Sequence, residues 1–526
     1  MKRFTGLVAL ALLAGCAETA TEPDAAVLPT SQAVVAGGPA GVTCGLAGKA
    51  VRSLGECVTL DAVRAHQAAF QAIADANGGI RASGTPGYDA SVDYVAGLLA
   101  DAGYDVTIQP FTYNAFIRLG VSTLAQVSPV AVSYVQDVDF RAMSQSEPGS
   151  VTAAVTPVDL QMGPGNTSTS GCEAADFAGF PAGNIALIQR GVCEFRVKAE
   201  NAAAAGAVAV VLFNQGNIPD REGLISGTLG TSYSGGIPVM EATYALGVEW
   251  ALQPGLVASL HANVFRGTAS TANVLAETPG GDPSNVVMAG GHLDSVDRGP
   301  GINDNGSGSA ALLEVALQLA GTKTRNKVRF AWWGAEESGL IGSDHYVFGL
   351  TDEERNAIAL YLNFDMIASP NAGYFIYDGD GSSFGLSGPT GSDAIEAFFQ
   401  DFYAGRGLAQ EAAQISGRSD YAAFFGWGIP FGGVFTGAEG IKTAAQAAQW
   451  GGVAGAQFDP CYHLACDTFA NVNLQALDVN SDAVAEAVMQ YAMSTEAVNG
   501  AKGKGNYRPK NPAAPRGPET SELTVR

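Results

Sequence analysis

Apolar positions recur at helical spacing from residue 60 to about 77 and again from 88 to 102, and the second run passes through Gly103 into an extended segment at 105 to 111. This predicts two amphipathic helices and a strand. From about 120 to 262 the texture changes to short β-rich runs, interrupted by a helical stretch near 196 to 205 and a wholly apolar run at 208 to 213. That change predicts a separate unit inserted into the chain. Beyond residue 270, apolar runs at 286–289, 328–332, 359–364 and 431–435 alternate with amphipathic stretches to about 495. Strands alternating with helices predict an α/β fold with a doubly wound, mostly parallel sheet.

The two ends stand apart from this pattern. Lys2 and Arg3 precede an apolar stretch from 4 to 13, and Leu13, Ala14 and Gly15 lead to Cys16. The stretch is too short to span a bilayer and reads as a signal peptide. Its end resembles the lipobox of bacterial lipoproteins, which implies a diacylated Cys16 as the mature N-terminus. Ordinary cleavage without lipidation is the alternative. Ala17 rather than Asp follows the cysteine, which by the same resemblance argues against retention at an inner membrane; the expected location is a cell-envelope membrane, the outer one, or the extracellular space. Residues 16–42, rich in Ala, Thr, Pro and Glu, read as a tether, and 498–526, rich in Lys, Arg, Pro and Gly, as a disordered or processed tail. The expected division is therefore 1–15 signal, 16–42 tether, 43–119 and 263–497 catalytic domain, 120–262 insert, and 498–526 tail.

Composition narrows the function. With 51 acidic against 28 basic residues in 526, the formal charge is -23, which repels nucleic acid and excludes it as a partner. Apart from Cys16, six cysteines fall into three sequence-local pairs: Cys44 with Cys57, Cys172 with Cys193, and Cys461 with Cys466. Three disulfides in an exported chain are expected, although locality is the only warrant for these pairings. No Cys-x-x-Cys spacing supports a zinc–cysteine site instead.

Metal-type side chains lie just past the ends of expected strands. The run ending at 289 leads to His292 and Asp294, that ending near 332 to Glu336 and Glu337, and that ending at 364 to Asp365. In open α/β sheets the C-terminal strand edge is where ligands bind, so three separate segments would deliver His, Glu and Asp to one crevice. Asp304 precedes an expected helix reaching 319 and reads either as a helix N-cap or as a ligand. Of the five histidines, His66, His261 and His345 sit in ordinary contexts, whereas His463 stands between Cys461 and Cys466 in a loop that a disulfide would stiffen.

Two resemblances follow. Residues 180–207, including Arg190, Cys193, Lys198 and Gly206, resemble the protease-associated domain, a non-catalytic module that either restricts access to a peptidase site or serves as a spacer. The segments around His292, Asp304, Glu337, Asp365 and His463 resemble metallopeptidase family 28, in particular its bacterial leucyl-aminopeptidase-like secreted enzymes. This resemblance implies two Zn²⁺, one held by His292 and Asp365, the other by Glu337 and His463, with Asp304 bridging across a cis Asp304–Asn305 peptide bond. It implies Glu336 as general base, Tyr462 as oxyanion donor and Asp294 as the carboxylate orienting His292. Arg418 and Asp420 would lie where the substrate's N-terminus binds.

The implied activity is removal of N-terminal residues, preferably apolar, from peptides by a monomeric enzyme. Phe424, Phe425 and Phe435 could line an apolar pocket or simply pack in the core. The alternatives are a single-zinc glutaminyl-peptide cyclase on the same fold and a non-catalytic receptor-like binding protein. A serine hydrolase lacks its Gly-x-Ser-x-Gly elbow at Ser307.

Overall fold

The computed structural model describes residues 53–225 and 227–501. The expected signal peptide, Cys16, the tether, Cys44 with its pairing to Cys57, and residues 502–526 lie outside them. No helix among the described residues is long and apolar enough to cross a membrane.

The expected helices form as Leu60–Ala76 and Pro86–Asp101. The Thr59 hydroxyl accepts from the Ala62 N–H to start the first, and Pro86 occupies the first turn of the second, where its missing N–H is no loss. Eight strands form the main sheet: β1 (Asp105–Arg118), β2 (Val264–Glu277), β3 (Asp282–His292), β4 (Asn326–Trp333), β5 (Ile358–Phe364), β6 (Phe375–Tyr377), β7 (Glu411–Ala413) and β8 (Phe431–Phe435). Their order is β1-β2-β4-β3-β5-β8-β6-β7. The central four, β4, β3, β5 and β8, pair parallel. β2 runs antiparallel to both β1 and β4, and β6 antiparallel to β8.

The sheet is covered on both faces, as its strands' unbroken apolar runs require. Along β3, Val287 and Ala289 pack with Phe70, Val95, Leu312 and Val484, while Val286 and Met288 pack on the other side with Tyr346 and Phe424. This two-residue alternation divides the core into two layers.

β1 is twice as long as the apolar pattern suggested, because its second half is a ribbon paired with β2. Arg118 faces Val264 at the ribbon's end, where the chain departs into a second eight-stranded sheet. Within it, the fully buried strands Ile185–Gln189, Ala209–Phe213 and Val239–Ala242 pair parallel, joined by the helix Phe195–Ala204. The unit has its own cores, around Leu187 and Trp250 and around Ile188 and Tyr233. At the other end, residues expected to begin the disordered tail are ordered: Glu496–Asn499 form a short helix and Ala501 bridges Thr495.

Candidate metal centre

Six polar side chains converge at the C-terminal edge of the parallel strands. His292 ends β3, Glu336 and Glu337 follow β4, and Asp365 follows β5. Asp304 stands two residues before the helix Gly306–Leu319, yet Asn305 is the cap: its Oδ1 accepts from the Gly308 N–H at 3.0 Å. The helix therefore makes no demand on the Asp304 carboxylate. The Asp304–Asn305 peptide bond is cis. His463 comes from the loop closed by the Cys461–Cys466 disulfide.

The Asp304 carboxylate divides the cluster. Its Oδ1 lies 3.2 Å from His292 Nε2, which is also 3.3 Å from Asp365 Oδ1. Its Oδ2 lies 3.2 Å from His463 Nε2, which is also 3.1 Å from Glu337 Oε2. Each half thus presents one imidazole nitrogen and two carboxylate oxygens close enough to surround one cation. Asp365 Oδ1 and Glu337 Oε1 are buried without a hydrogen-bond donor. Unpaired buried carboxylate oxygens are expensive, and a divalent cation would satisfy them. Three carboxylates and two imidazoles form an N/O donor set that suits zinc.

The electrostatics agree. Burial pulls the His463 imidazole down, but Glu337 and Asp304 outweigh it and push it up to about 11. His292 is likewise held well above its ordinary value against its burial, chiefly by Glu336 and Asp365. Burial lifts Glu337 to about 7, and Asp304 adds to that lift. The cluster is a concentration of carboxylates whose mutual repulsion a bound cation would relieve.

Surrounding groups fix these side chains. The His292 Nδ1–H points at the Asp294 main-chain carbonyl at 3.0 Å, with the Asp294 carboxylate farther off at 3.6 Å. That carboxylate accepts instead from the Glu336 N–H at 3.3 Å. Glu336 reaches to 3.9 Å from His292 Nε2, and burial raises its carboxyl well above the usual range, with Glu337, Asp420 and Asp365 adding to the effect. Tyr462 stacks on His463 with ring centroids 3.8 Å apart, and its Oη accepts from Arg418 Nη2 at 3.1 Å. Arg418 also pairs with Glu439 at 2.7 Å. Asp420 is fully buried with neither oxygen hydrogen-bonded, and burial raises it to about 8.

Ala335, Met366 and His463 all adopt left-handed backbone, with φ of 56°, 49° and 57°. Such conformations are disfavoured for residues with a Cβ and cluster where a site imposes them. Here each abuts or is a metal-type residue.

Three contributors escaped the reading of the sequence. Asp467 accepts from the N–H groups of Asn303 and Asp304 at 2.8 and 2.9 Å. Ser419 donates to Asp365 Oδ2 at 2.7 Å. Arg81, fully buried, donates to the carbonyls of Leu293, Pro300 and Gly301 and so pins the loop between His292 and Asp304. Conversely, Phe424 is core: it is fully buried and stacked on Tyr361 at 3.8 Å. His66 is buried between Tyr94 and Glu314, at 2.7 and 3.2 Å, His261 bonds Ser150, and His345 stacks on Phe111; none of the three joins the cluster. The Cys172–Cys193 and Cys461–Cys466 disulfides are both present.

Comparison with known proteins places these features in context. Residues 273–488 match the model of peptidase family M28, and 151–250 that of the PA domain. An aminopeptidase of Pseudomonas aeruginosa is 58% identical over 427 residues, covering 81% of this chain and 80% of that one. The "Probable lipoprotein aminopeptidase LpqL" of Mycobacterium tuberculosis is 43% identical over 460 residues, covering 84% and 87%. Among solved structures, the aminopeptidase of Aneurinibacillus sp. strain AM-1 aligns with a TM-score of 0.57 and 27% identity over 83% of this chain and 95% of that one. The zinc aminopeptidase of Bacillus subtilis shares the fold, with a TM-score of 0.59 and 24% identity over 82% and 95%.

Proposed function

The chain belongs to peptidase family M28 with an inserted PA domain and is a zinc metallo-aminopeptidase, and from that premise we propose that its Asp304-centred cluster binds two zinc ions to remove N-terminal residues from peptides. One observation carries the two-ion reading: the two Asp304 oxygens serve different imidazole–carboxylate groups. His292 and Asp365 would hold one ion, His463 and Glu337 the other, and Asp304 both. Bound there, zinc supplies Lewis acidity toward the scissile carbonyl and makes water a nucleophile near neutral pH.

The remaining steps belong to the chain's own groups. Glu336 takes the proton of the attacking water and returns it to the leaving amine; it stands at the cluster, 3.9 Å from His292 Nε2, with its main chain held by Asp294. Asp294, through its carbonyl, fixes the His292 tautomer, and through its carboxylate the Glu336 main chain. The Tyr462 oxygen already accepts from Arg418, so its own O–H is available to the oxyanion that develops on the scissile carbonyl. Asp420, buried and unpaired, meets the substrate's free ammonium, whereas Arg418 acts through Tyr462. Apolar first residues are the preferred substrates, and neither the single-zinc cyclase nor the receptor reading is favoured.

We also propose that the chain is exported as a monomer anchored in the outer membrane through a lipidated Cys16, with the match to a lipoprotein relative in support. Metal analysis of the purified protein together with a panel of aminoacyl p-nitroanilides tests the central reading. Two zinc ions per chain and chelator-sensitive hydrolysis are expected; one ion per chain, or hydrolysis indifferent to chelation, would overturn it.

A further inference from the structure

The two halves of the Asp304 cluster are held in different ways. His292 ends β3 and Asp365 follows β5, and these strands pair directly, with Gly290 opposite Asn363. Asp304 is tied to the same edge, because Asn305 donates to the Phe364 carbonyl at 2.9 Å and accepts from the Met366 N–H at 3.2 Å. Main-chain pairing and the Asn305 side chain thus set the first half. His463 has no strand behind it: it lies between β8 and the helix Leu474–Met493. Its side chain is 40% exposed, against 1% for His292, so burial does not fix it either.

Two buried carboxylates at the feet of the His463 loop supply what the sheet does not. Asp459 precedes the ring closed by Cys461 and Cys466, and Asp467 follows it. Asp467 accepts from the Asn303 N–H at 2.8 Å through Oδ1 and from the Asp304 N–H at 2.9 Å through Oδ2, while its carbonyl accepts from the Ile302 N–H at 3.1 Å. Asp459 accepts from the Asn303 side-chain amide at 2.6 Å through Oδ2 and from the Cys461 N–H at 2.8 Å through Oδ1. The Asn471 amide joins the two carboxylates, 3.0 Å from Asp459 Oδ1 and 3.2 Å from Asp467 Oδ1. Both feet of the loop are therefore clamped to residues 302–304, by hydrogen bonds to carboxylates, which are among the stronger ones. Since Asp304 is already tied to β5 through Asn305, the clamp acts on where the loop sits relative to Asp304. That placement sets the 3.2 Å approach of His463 Nε2 to Asp304 Oδ2.

We propose that Asp467, assisted by Asp459, is a positioning residue for the His463–Glu337 half alone, so that its loss turns a two-ion centre into a one-ion centre instead of emptying it. The inference rests on the two-zinc reading above, and zinc content of the wild type across a graded chelator checks that reading by itself: fewer than two ions per chain refutes it. Given two, Asp467→Ala should hold one ion with wild-type affinity and the other about 10- to 100-fold more weakly, the usual effect of losing a group that supports a ligand. Asp467→Asn keeps the side chain's volume and one accepting oxygen; it should fall between, and it carries the test if the alanine variant does not fold. The weakened ion is identified in a His463→Ala background. There, adding Asp467→Ala should leave the affinity for the remaining ion unchanged, because both substitutions act on the same half. A residue that merely stabilised the fold would lower the melting temperature of the zinc-free protein and leave both affinities as they were. Two ions weakened in parallel, or two ions retained at wild-type affinity in both Asp467 variants, would overturn the proposal.

Discussion

Glu336 and Glu337 are adjacent in the chain and opposite in circumstance. Glu337 Oε2 sits 3.1 Å from His463 Nε2 within the donor cluster, whereas Glu336 stands 3.9 Å from His292 with its main chain tied to Asp294. Glu336→Gln should therefore keep its zinc and its fold while kcat falls by about 10² to 10⁴, the range for a positioned acid–base group; zinc lost in that variant would make Glu336 a ligand instead. At this scale, what the sequence revealed is what projects from strand ends: His292, Glu337 and Asp365 each follow an apolar run whose meaning is plain. Arg81, Asp467 and Ser419 stayed hidden because they work by hydrogen bonds to main chain or to a neighbouring carboxylate, and such bonds leave no periodic trace. The N-cap reading of Asp304 was removed by its neighbour, since Asn305 supplies the cap.

At the scale of elements, the site depends on short segments held in unusual conformations. His463 sits in left-handed backbone inside the ring closed by Cys461 and Cys466, so the disulfide limits where its imidazole can go. Replacing both cysteines by serine should weaken zinc retention, by roughly 10- to 100-fold if the loop supports its ligand as outer groups do elsewhere. Competition with a graded chelator measures this, and unchanged retention would show that packing alone positions the loop. In the inserted unit, the helix Phe195–Ala204 buries Lys198, whose ammonium donates to the Ser170 carbonyl and lies 3.6 Å from Cys172 Sγ. Burial lowers it to about 8, below its ordinary 10.5. Because the folded pKa is the lower one, the folded state favours the neutral amine; the penalty for charge is absent above 10.5 and complete below 8. Relative to Lys198→Met, the wild type should gain stability as pH rises from 8 to 10.5, and denaturant midpoints across that interval would expose a parallel course as a contradiction.

For the whole molecule, alternation of strand and helix was enough to predict a two-layered parallel core, and Val286 to Ala289 on β3 bear that out by facing alternate layers. The antiparallel β1–β2 ribbon was less legible. On β1 the outer half alternates buried with less buried positions, but the apolar Phe116 falls on a less buried one, and the facing half of β2 has no regular alternation, so the two did not read as one ribbon. The proposed metal centre would tie these parts together, since its donor side chains come from after β3, β4 and β5 and from the loop at His463. Zinc bound by the folded chain and not by the unfolded one stabilises it by mass action, by about 2.7 kcal/mol at a hundredfold excess over Kd. Chelation should thus lower the melting temperature and added zinc restore it; a melting temperature indifferent to both would mean the donors are stable without a cation.

The pairing of Arg118 with Val264 has a consequence for how the chain is made. During synthesis, β1 emerges long before β2, and while the intervening residues are unstructured the two strands must find each other across a large loop, whose closure entropy grows with its length. The intervening unit has its own cores, so it can fold as soon as it has emerged, and its two ends then leave side by side. That folding event would act as a clasp: it would bring β2 beside β1 before β3, β4 and β5 exist, so the strand pair farthest apart in the sequence would not have to find its partner across an open loop.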